Sequence, residues 1–530
     1  MIPRIIHQTW KTHVVPENCR CWVESWKTLN PEWKHILWSD QELDEFVAQH
    51  YPDFLTVYRS YKMGVQRADA ARYLLLHHFG GVYTDIDTEC LMSLDIFANE
   101  DRIVFCNEPS AHSGNYITSR SLERLIFNGT IVSPANHPFW LELLENLERT
   151  RFSSMVLDST GPIVLSATAQ KHHNQNAFSF NSAHLFCGKE VFGKPISEKR
   201  LGDYGKFNVS IHFWIGTWYK PQTARKKFKI PLLKKANYFV NSRLHALTRG
   251  KQYSENINRD FLAAEIAPPT QHEIIAVLIP VRDGEAYIKR CMELLGALDW
   301  PKSQLHITFC EGDSSDGTVA ALAKIIAENK SNFGSISLIH KTVNTNFTRK
   351  NRTIAKLQRQ RRAGLAVVRN HLIEHAIKPE TDWALWIDID VNDYQPSILR
   401  QLLAEQEKII VPHCIRDDGS NNTFDLNSFV SVYEKRDNFY FKHVIGGLYQ
   451  PPSATDRRIH LEDLRYHDKI RLHGVGGTML LVHADVHRAG IRFPDSSYKD
   501  LIETEAFGQL ARDHGITPIG LPNLIITHPV

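Results

Sequence analysis

The sequence of 530 residues has no run of about eighteen apolar residues, so no segment is expected to cross a membrane as a helix. It lacks paired cysteines: eight are scattered, the closest two being Cys19 and Cys21, and no C-x-x-C pair suggests a zinc knuckle. Such thiols suit a reducing compartment. It lacks an excess of either charge. The 62 Lys and Arg against 59 Asp and Glu leave +3, which argues against a nucleic-acid partner held by bulk electrostatics. The opening stretch, MIPRIIHQTWKTH, has no long apolar core of the kind a signal peptide carries. These absences together predict a cytoplasmic location.

What is there is ordinary for a globular chain, with 42% hydrophobic and 23% charged residues. The length exceeds one core and predicts two large domains. From Ile2 to about Trp218, short apolar strands alternate with amphipathic helices. RIIHQTW opens as a strand. SDQELDEFVAQHY predicts a helix with Ser39 as N-cap and Glu42 at capping-box spacing. QRADAARYLLLHHFGG predicts a helix stopped at Gly80-Gly81, followed by VYTDID as a buried strand. A basic stretch over 221–270 then reads as a helical linker, closed by APPT at Ala267–Thr270. Beyond it, EIIAVLIPV, AYIKRCMELLGAL, QLHITFCEGDSSDGT and TVAALAKIIAENK alternate strand and helix, the pattern of a parallel α/β sheet. Ligands of such sheets lie beyond the carboxyl ends of the strands.

Two Asp-x-Asp tripeptides fall at such strand ends: Asp85–Asp87 in FGGVYTDIDTE and Asp388–Asp390 in WALWIDIDVND. A bare tripeptide is weak, since about one or two arise by chance in a chain this long, commonly as a solvated turn. Along a strand, residues i and i+2 point to one side, so the two carboxylates would converge. There they can share a hard divalent cation, Mn2+ or Mg2+, together with substrate phosphates. Such a cation would help a diphosphate leave. Upstream of the first tripeptide, Asp69 and Arg72 share a helix face. They read either as a surface ion pair worth under about 1 kcal/mol or as holders of sugar and phosphate.

Several of these stretches, in order, resemble one known family. IPRIIHQTWKT, SWKTLNPEWKHILWSD, RADAARYLLLHHFGGVYTDIDTE, TGPIVL and IHFWIGTW, over about Ile2–Trp218, are similar to the DxD sugar transferases of glycosyltransferase family 32. The resemblance implies a GT-A fold, a metal-bound nucleotide-sugar and retention at the anomeric carbon. It implies that Asp85 and Asp87 bind ribose, metal and diphosphate, and that Asp69 and Arg72 hold the donor sugar. Trp10 would stack on the base. His212 and Trp218 would lie on a loop closing over the diphosphate, His212 as a metal ligand.

The second half resembles family 62, the mannan-polymerase mannosyltransferases. LIPVRDGEAYI, EGDSSDGT, RNHLI, DWALWIDIDV, HGVGGTMLLVHADVHRAGIRFP, LIETEAFGQLARDHG and GLPNLIITH carry the likeness over about Ile274–His528. It implies a second metal-dependent retaining GT-A enzyme using GDP-mannose. Asp388 and Asp390 would bind metal and diphosphate, with His528 as third ligand. Pro280, Arg282 and Asp313 would line the nucleotide side, although Asp313 alone reads equally as a turn residue.

The expected protein is therefore α/β: two tandem GT-A, Rossmann-like nucleotide-sugar-binding domains over 1–220 and 271–530, joined by the basic linker 221–270. Its expected function is bifunctional hexosyl transfer, α-mannose from GDP-mannose, to a surface glycan or lipid-linked oligosaccharide. Alternatives are a UDP-galactose or UDP-glucose donor for one domain, or one domain serving as a non-catalytic glycan-binding scaffold. A glycosidase fits less well, since its carboxyl groups stand about 5–10 Å apart. ARKKFKIPLLKK and TRKNRTIAKLQRQRRAG (Thr348–Gly364) read singly as solvated surface. As a pair they suggest peripheral attachment to the inner face of an anionic membrane. The second could instead form a loop over the donor phosphates.

Overall fold

Parallel strands covered on both faces read as continuous apolar runs, and Ile275–Val281 and Trp383–Ile387 are buried along nearly their whole length. The computed structural model describes residues 1–189, 194–216, 257–263, 265–343, 357–432, 437–453 and 457–529. It divides into two units, Met1–Lys226 with Asp463–Tyr466, and Lys227–Glu462 with His467–Val530. Most of the expected linker, with Trp218 and the start of the second basic stretch, lies outside the described residues. Among the described residues no helix is long and apolar enough to cross a membrane.

The first unit carries a six-stranded sheet in the order Lys34–Trp38, Ile5–Thr9, Gly81–Thr84, Thr130–Ser133, Ile103–Cys106, Phe178–Asn181. Its first three strands are parallel, and Thr130–Ser133 runs against both of its neighbours. The helix Asp40–His50 begins with the expected capping box: Ser39 Oγ accepts from the Glu42 amide at 3.3 Å, and Glu42 Oε2 from the Ser39 amide at 2.8 Å. Such a cap contributes about 1 kcal/mol. The helix Gly64–Phe79 ends where expected, because Gly80 takes a left-handed φ of 64° that an L side chain rarely adopts.

The second unit carries a nine-stranded sheet. Ser335–His340, Leu305–Glu311, Ile275–Val281 and Trp383–Ile387 are parallel neighbours, as the sequence predicts. The sheet continues with strands of both senses: Met479–His483 is antiparallel to Trp383–Ile387, and Ile409–Arg416 to Met479–His483. The fold class is thus α/β in both halves, with mixed rather than purely parallel sheets.

Each unit also buries a histidine that must stay neutral. His7 donates from Nε2 to the Gly80 carbonyl at 3.0 Å and accepts the Trp38 indole N–H on Nδ1 at 3.1 Å. His487 donates from Nδ1 to the Ile491 carbonyl at 3.0 Å and accepts the Trp386 indole N–H on Nε2 at 3.3 Å. Burial pushes both imidazoles down to about 4. Between about pH 6.5 and 4 the unfolded chain therefore binds protons the native state does not, so stability falls as pH falls through this window. We expect a loss of about 2 kcal/mol per histidine on going from about pH 7.5 to about pH 5. Urea midpoints measured at those two pH values check this, and unchanged midpoints would contradict it.

Candidate active sites

Both Asp-x-Asp tripeptides sit just past a buried strand, but neither is on it. Strand Gly81–Thr84 ends before Asp85, and strand Trp383–Ile387 ends before Asp388. The backbone turns instead: the Thr88 amide donates to the Asp85 carbonyl at 3.2 Å, and the Val391 amide to the Asp388 carbonyl at 3.2 Å. The expected convergence by strand alternation is corrected here. Turn geometry presents the carboxylates at the sheet's carboxyl edge, and only the isoleucine between them stays buried in the core.

In the first unit Asp69 and Arg72 lie on the helix Gly64–Phe79, and both are buried. Arg72 Nη2 meets Asp69 Oδ1 at 2.9 Å and Asp85 Oδ1 at 3.3 Å, and its guanidinium stacks over Tyr83 at 4.5 Å. The surface-pair reading therefore fails, because the pair is desolvated and tied to the first aspartate of the turn. Asp69 also accepts from Asn128 Nδ2 at 3.1 Å and Thr160 Oγ1 at 3.2 Å. Burial pushes Asp69 up to about 6 against the pull of Arg72, and it raises Asp85 as well.

Strand Thr88–Cys90, which follows the turn, pairs antiparallel with Ser210–His212, placing Thr88 opposite His212. That pairing brings His212 Nε2 to 3.2 Å from Asp87 Oδ1 and 3.8 Å from Asp85 Oδ2. Burial depresses the imidazole, but Asp87, then Asp85 and Glu108, lift it above its usual value. Asp87 lies below the usual carboxylate range: burial raises it, yet His212 and the Ile215 amide, 3.0 Å from Oδ2, outweigh that. Asp85, Asp87 and His212 offer ligand atoms within 4.8 Å of one another. Two carboxylates and an imidazole suit Mn2+ or Mg2+. The raised Asp69 and Asp85 agree, since burial leaves their charge short of compensation that a divalent cation would supply.

The second unit repeats the plan with different residues. Arg369, on the helix Gln358–Ala376, places Nη2 3.2 Å from Asp388 Oδ1 and Nε 3.1 Å from Glu503 Oε1. Strand Asp393–Tyr394, after the turn, pairs antiparallel with Ile519–His528. His528 Nε2 thereby comes 3.1 Å from Asp390 Oδ2, while its ring stacks on Phe424 at 3.5 Å. Asp390 raises this imidazole above its usual value against the opposing effect of burial. Burial pushes Asp388 up to about 7 despite Arg369, with Asp390, Asp425 and Glu503 adding to the rise. Among the described residues, Asp388, Asp390 and His528 do not bring their ligand atoms within 4.8 Å of one another as the first trio does. The floor is glycine for a steric reason. A Cβ on Gly476 would lie 1.7 Å from Asp425 Oδ2, and one on Gly477 would lie 2.4 Å from Arg369 Nη2.

The remaining expected residues fall at the same edges. Trp10 follows strand Ile5–Thr9 and packs on the cluster that contains Ile86. Pro280 ends the strand Ile275–Val281 with Val281, and Arg282 follows, partly exposed. Asp313 has a left-handed φ of 60°, and its carboxylate accepts from the Val343 amide at 3.0 Å, so it serves the turn as well as the edge. Sequence reading missed Arg369 and Glu503, although both stand inside stretches quoted for their resemblance, RNHLI and LIETEAFG. It also missed Trp22, which stacks on Phe213 at 4.1 Å, while the Phe213 amide donates to the Asp87 carbonyl at 2.9 Å. No spacing signals that contact.

Two family models match separate parts of the chain. Residues 16–104 match the family described as "Glycosyltransferase sugar-binding region containing DXD motif", and residues 255–497 match the Anp1 family. Inositol phosphoceramide mannosyltransferase 3 of Schizosaccharomyces pombe is 38% identical over 31% of this chain and 44% of its own length. The mannan polymerase II complex ANP1 subunit of Saccharomyces cerevisiae is 30% identical over 49% of this chain and 55% of its own. Mannan polymerase complex subunit mnn9 of S. pombe is 26% identical over 54% of this chain and 89% of its own. The chain thus spans about half the length of the inositol phosphoceramide relatives it matches. A solved mannosyltransferase from Pyrobaculum calidifontis, in complex with GDP-Man and Mn2+, covers 56% of this chain and 67% of its own at 13% identity, with a TM-score of 0.29. Likeness at that level carries no argument.

Proposed function

We propose that the chain is a glycosyltransferase with two active sites, each transferring α-mannose from GDP-mannose with retention in a reaction that needs Mn2+ or Mg2+. One observation carries this reading. Both units place a buried arginine on the first aspartate of the turn and a histidine on the second. The relatives support it, one being named an inositol phosphoceramide mannosyltransferase and two being named mannan polymerase subunits.

Asp85, Asp87 and His212 would hold the cation in the first unit, and Asp388, Asp390 and His528 in the second. Bound there, it would neutralise the departing diphosphate. The residues of the chain do the rest. Arg72 and Arg369 orient the first aspartate of each turn and oppose the rise that burial causes, while Asp69 and Glu503 would accept donor-sugar hydroxyls. The acceptor hydroxyl oxygen bonds to the anomeric carbon as the bond from that carbon to the diphosphate oxygen breaks. The bonding pair leaves on the diphosphate, and the hydroxyl proton passes to a phosphate oxygen or to water. The acceptor in this reading is a lipid-linked or surface glycan, met from the cytoplasm at the inner face of a membrane.

The test is release of nucleoside diphosphate from GDP-mannose, UDP-galactose and UDP-glucose, with and without Mn2+. We expect hydrolysis of GDP-mannose that chelation abolishes and added Mn2+ restores. Hydrolysis of a UDP-sugar would reassign one donor. No hydrolysis of any donor, or hydrolysis indifferent to metal, would overturn the reading.

A further inference from the structure

Next to the second site, and outside its metal-ligand set, lies a cavity of about 340 Å3 whose polar walls come from Gln358, Arg362, Tyr449, Gln450, Asp500 and Glu505. We propose that it binds a neutral pyranose ring of the acceptor glycan. The proposal rests on the second unit being a glycosyltransferase, and it names where that unit holds its acceptor.

The volume is at the low end of the about 300–1,000 Å3 of small-molecule sites, a size for one or two sugar rings. The charge of the walls selects the class of ligand. Arg362 is engaged by Glu503 at 3.6 Å and by Asn427 at 3.2 Å. Glu505 takes both arms of Arg458, at 3.0 and 3.2 Å. An anionic ligand would face the carboxylates of Asp500 and Glu505, and a cation would face Arg362, so neither is well matched. A neutral molecule rich in hydroxyls is matched, because carboxylates accept, the guanidinium donates, and the two glutamine amides do both. Tyr449 adds a ring stacked on Tyr440 at 4.3 Å and 12°, and Tyr440 donates to Asp500 at 3.0 Å. Arg458 lies over the Tyr449 ring at 5.7 Å, so the two contacts hold the tyrosine fixed as part of a stiff wall.

The cavity is also coupled to the chemistry. Arg362 touches Glu503, Glu503 touches Arg369, and Arg369 touches Asp388. One loop carries both the cavity wall and the link. Within it Lys499, Asp500 and Glu503 all adopt left-handed φ, of 52°, 63° and 60°. Non-glycine residues seldom adopt that region, and three so close together mark a loop whose shape is set by a site rather than by folding alone.

The experiment is saturation-transfer NMR of methyl α-mannoside and an α-linked mannobiose with the full chain, without nucleotide. We expect both probes to bind, and binding to weaken at least tenfold in Gln358→Trp, which fills the cavity, and in Asp500→Asn. Asp500→Asn, checked for an unchanged thermal midpoint, decides if Gln358→Trp misfolds. We expect Asp390→Ala to retain mannoside binding and GDP-mannose not to displace the probe. Absence of binding to the wild-type chain, undiminished binding in a folded Asp500→Asn chain, or displacement by GDP-mannose would each overturn the proposal. Donor hydrolysis, assayed without any acceptor, reports separately on whether the unit is a transferase.

Discussion

Asp87→Ala and Asp390→Ala, made one at a time, are expected each to remove one of two metal-dependent donor hydrolyses and to leave the other. Each aspartate is the histidine partner in its own turn, at 3.2 Å from His212 and 3.1 Å from His528. Removing it takes away one of the three groups proposed to hold the cation and the carboxylate that pairs with the imidazole. Loss of one preorganised electrostatic contact to a developing charge costs about 10²–10³ in rate, and loss of the cation itself costs more. Stability should move less. Asp87 accepts from the Ile215 amide, a charged hydrogen bond worth about 1.5–3 kcal/mol. Nucleoside diphosphate release with Mn2+, alongside a thermal melt, separates the two effects. Retention of every wild-type activity by both variants would refute two sites. Loss confined to one variant would make the other half a scaffold.

Arg369→Met is expected to give the largest loss of stability, about 3–5 kcal/mol, because it strands Asp388 in a buried site and leaves Glu503 with Arg362 alone, at 3.6 Å. Arg369 is buried and is the cation that meets both Asp388 and Glu503. Without it Asp388, already at about 7, would rise further and be protonated at neutral pH, so activity of the second unit should vanish along with the stability. Adding Glu503→Gln should return part of the stability, because one of two buried carboxylates left short of a cation is then gone, but none of the activity. Urea unfolding of the single and double variants measures this. A single variant within about 1 kcal/mol of wild type would show that the ion pairs carry little weight.

Much of this was legible along the chain because it is local. The Ser39–Glu42 cap, the stop at Gly80 and the strands Ile275–Val281 and Leu305–Glu311 follow from short-range hydrogen bonding and periodicity. Asp69 and Arg72 could be paired from a three-residue spacing, since a helix fixes which residues share a face. Their burial could not, and that changes the pair from surface decoration into part of the site. The reading of each Asp-x-Asp as strand also failed on a local point: a three-residue overrun of an apolar run looks the same whether the backbone continues or turns.

The sequence by itself determined two α/β halves, the apolar runs that form their inner strands, and which acidic residues stand just beyond two of them. Tertiary structure alone decided that Arg369 meets Glu503 across 134 residues, and that Trp22 meets Phe213. It also decided that a late strand in each half brings a histidine onto the second aspartate. The reason is physical. Periodicity records which face of a segment avoids water, but which distant segments share that buried face is settled by how whole sheets pack. The charges caught between them are then obliged to pair.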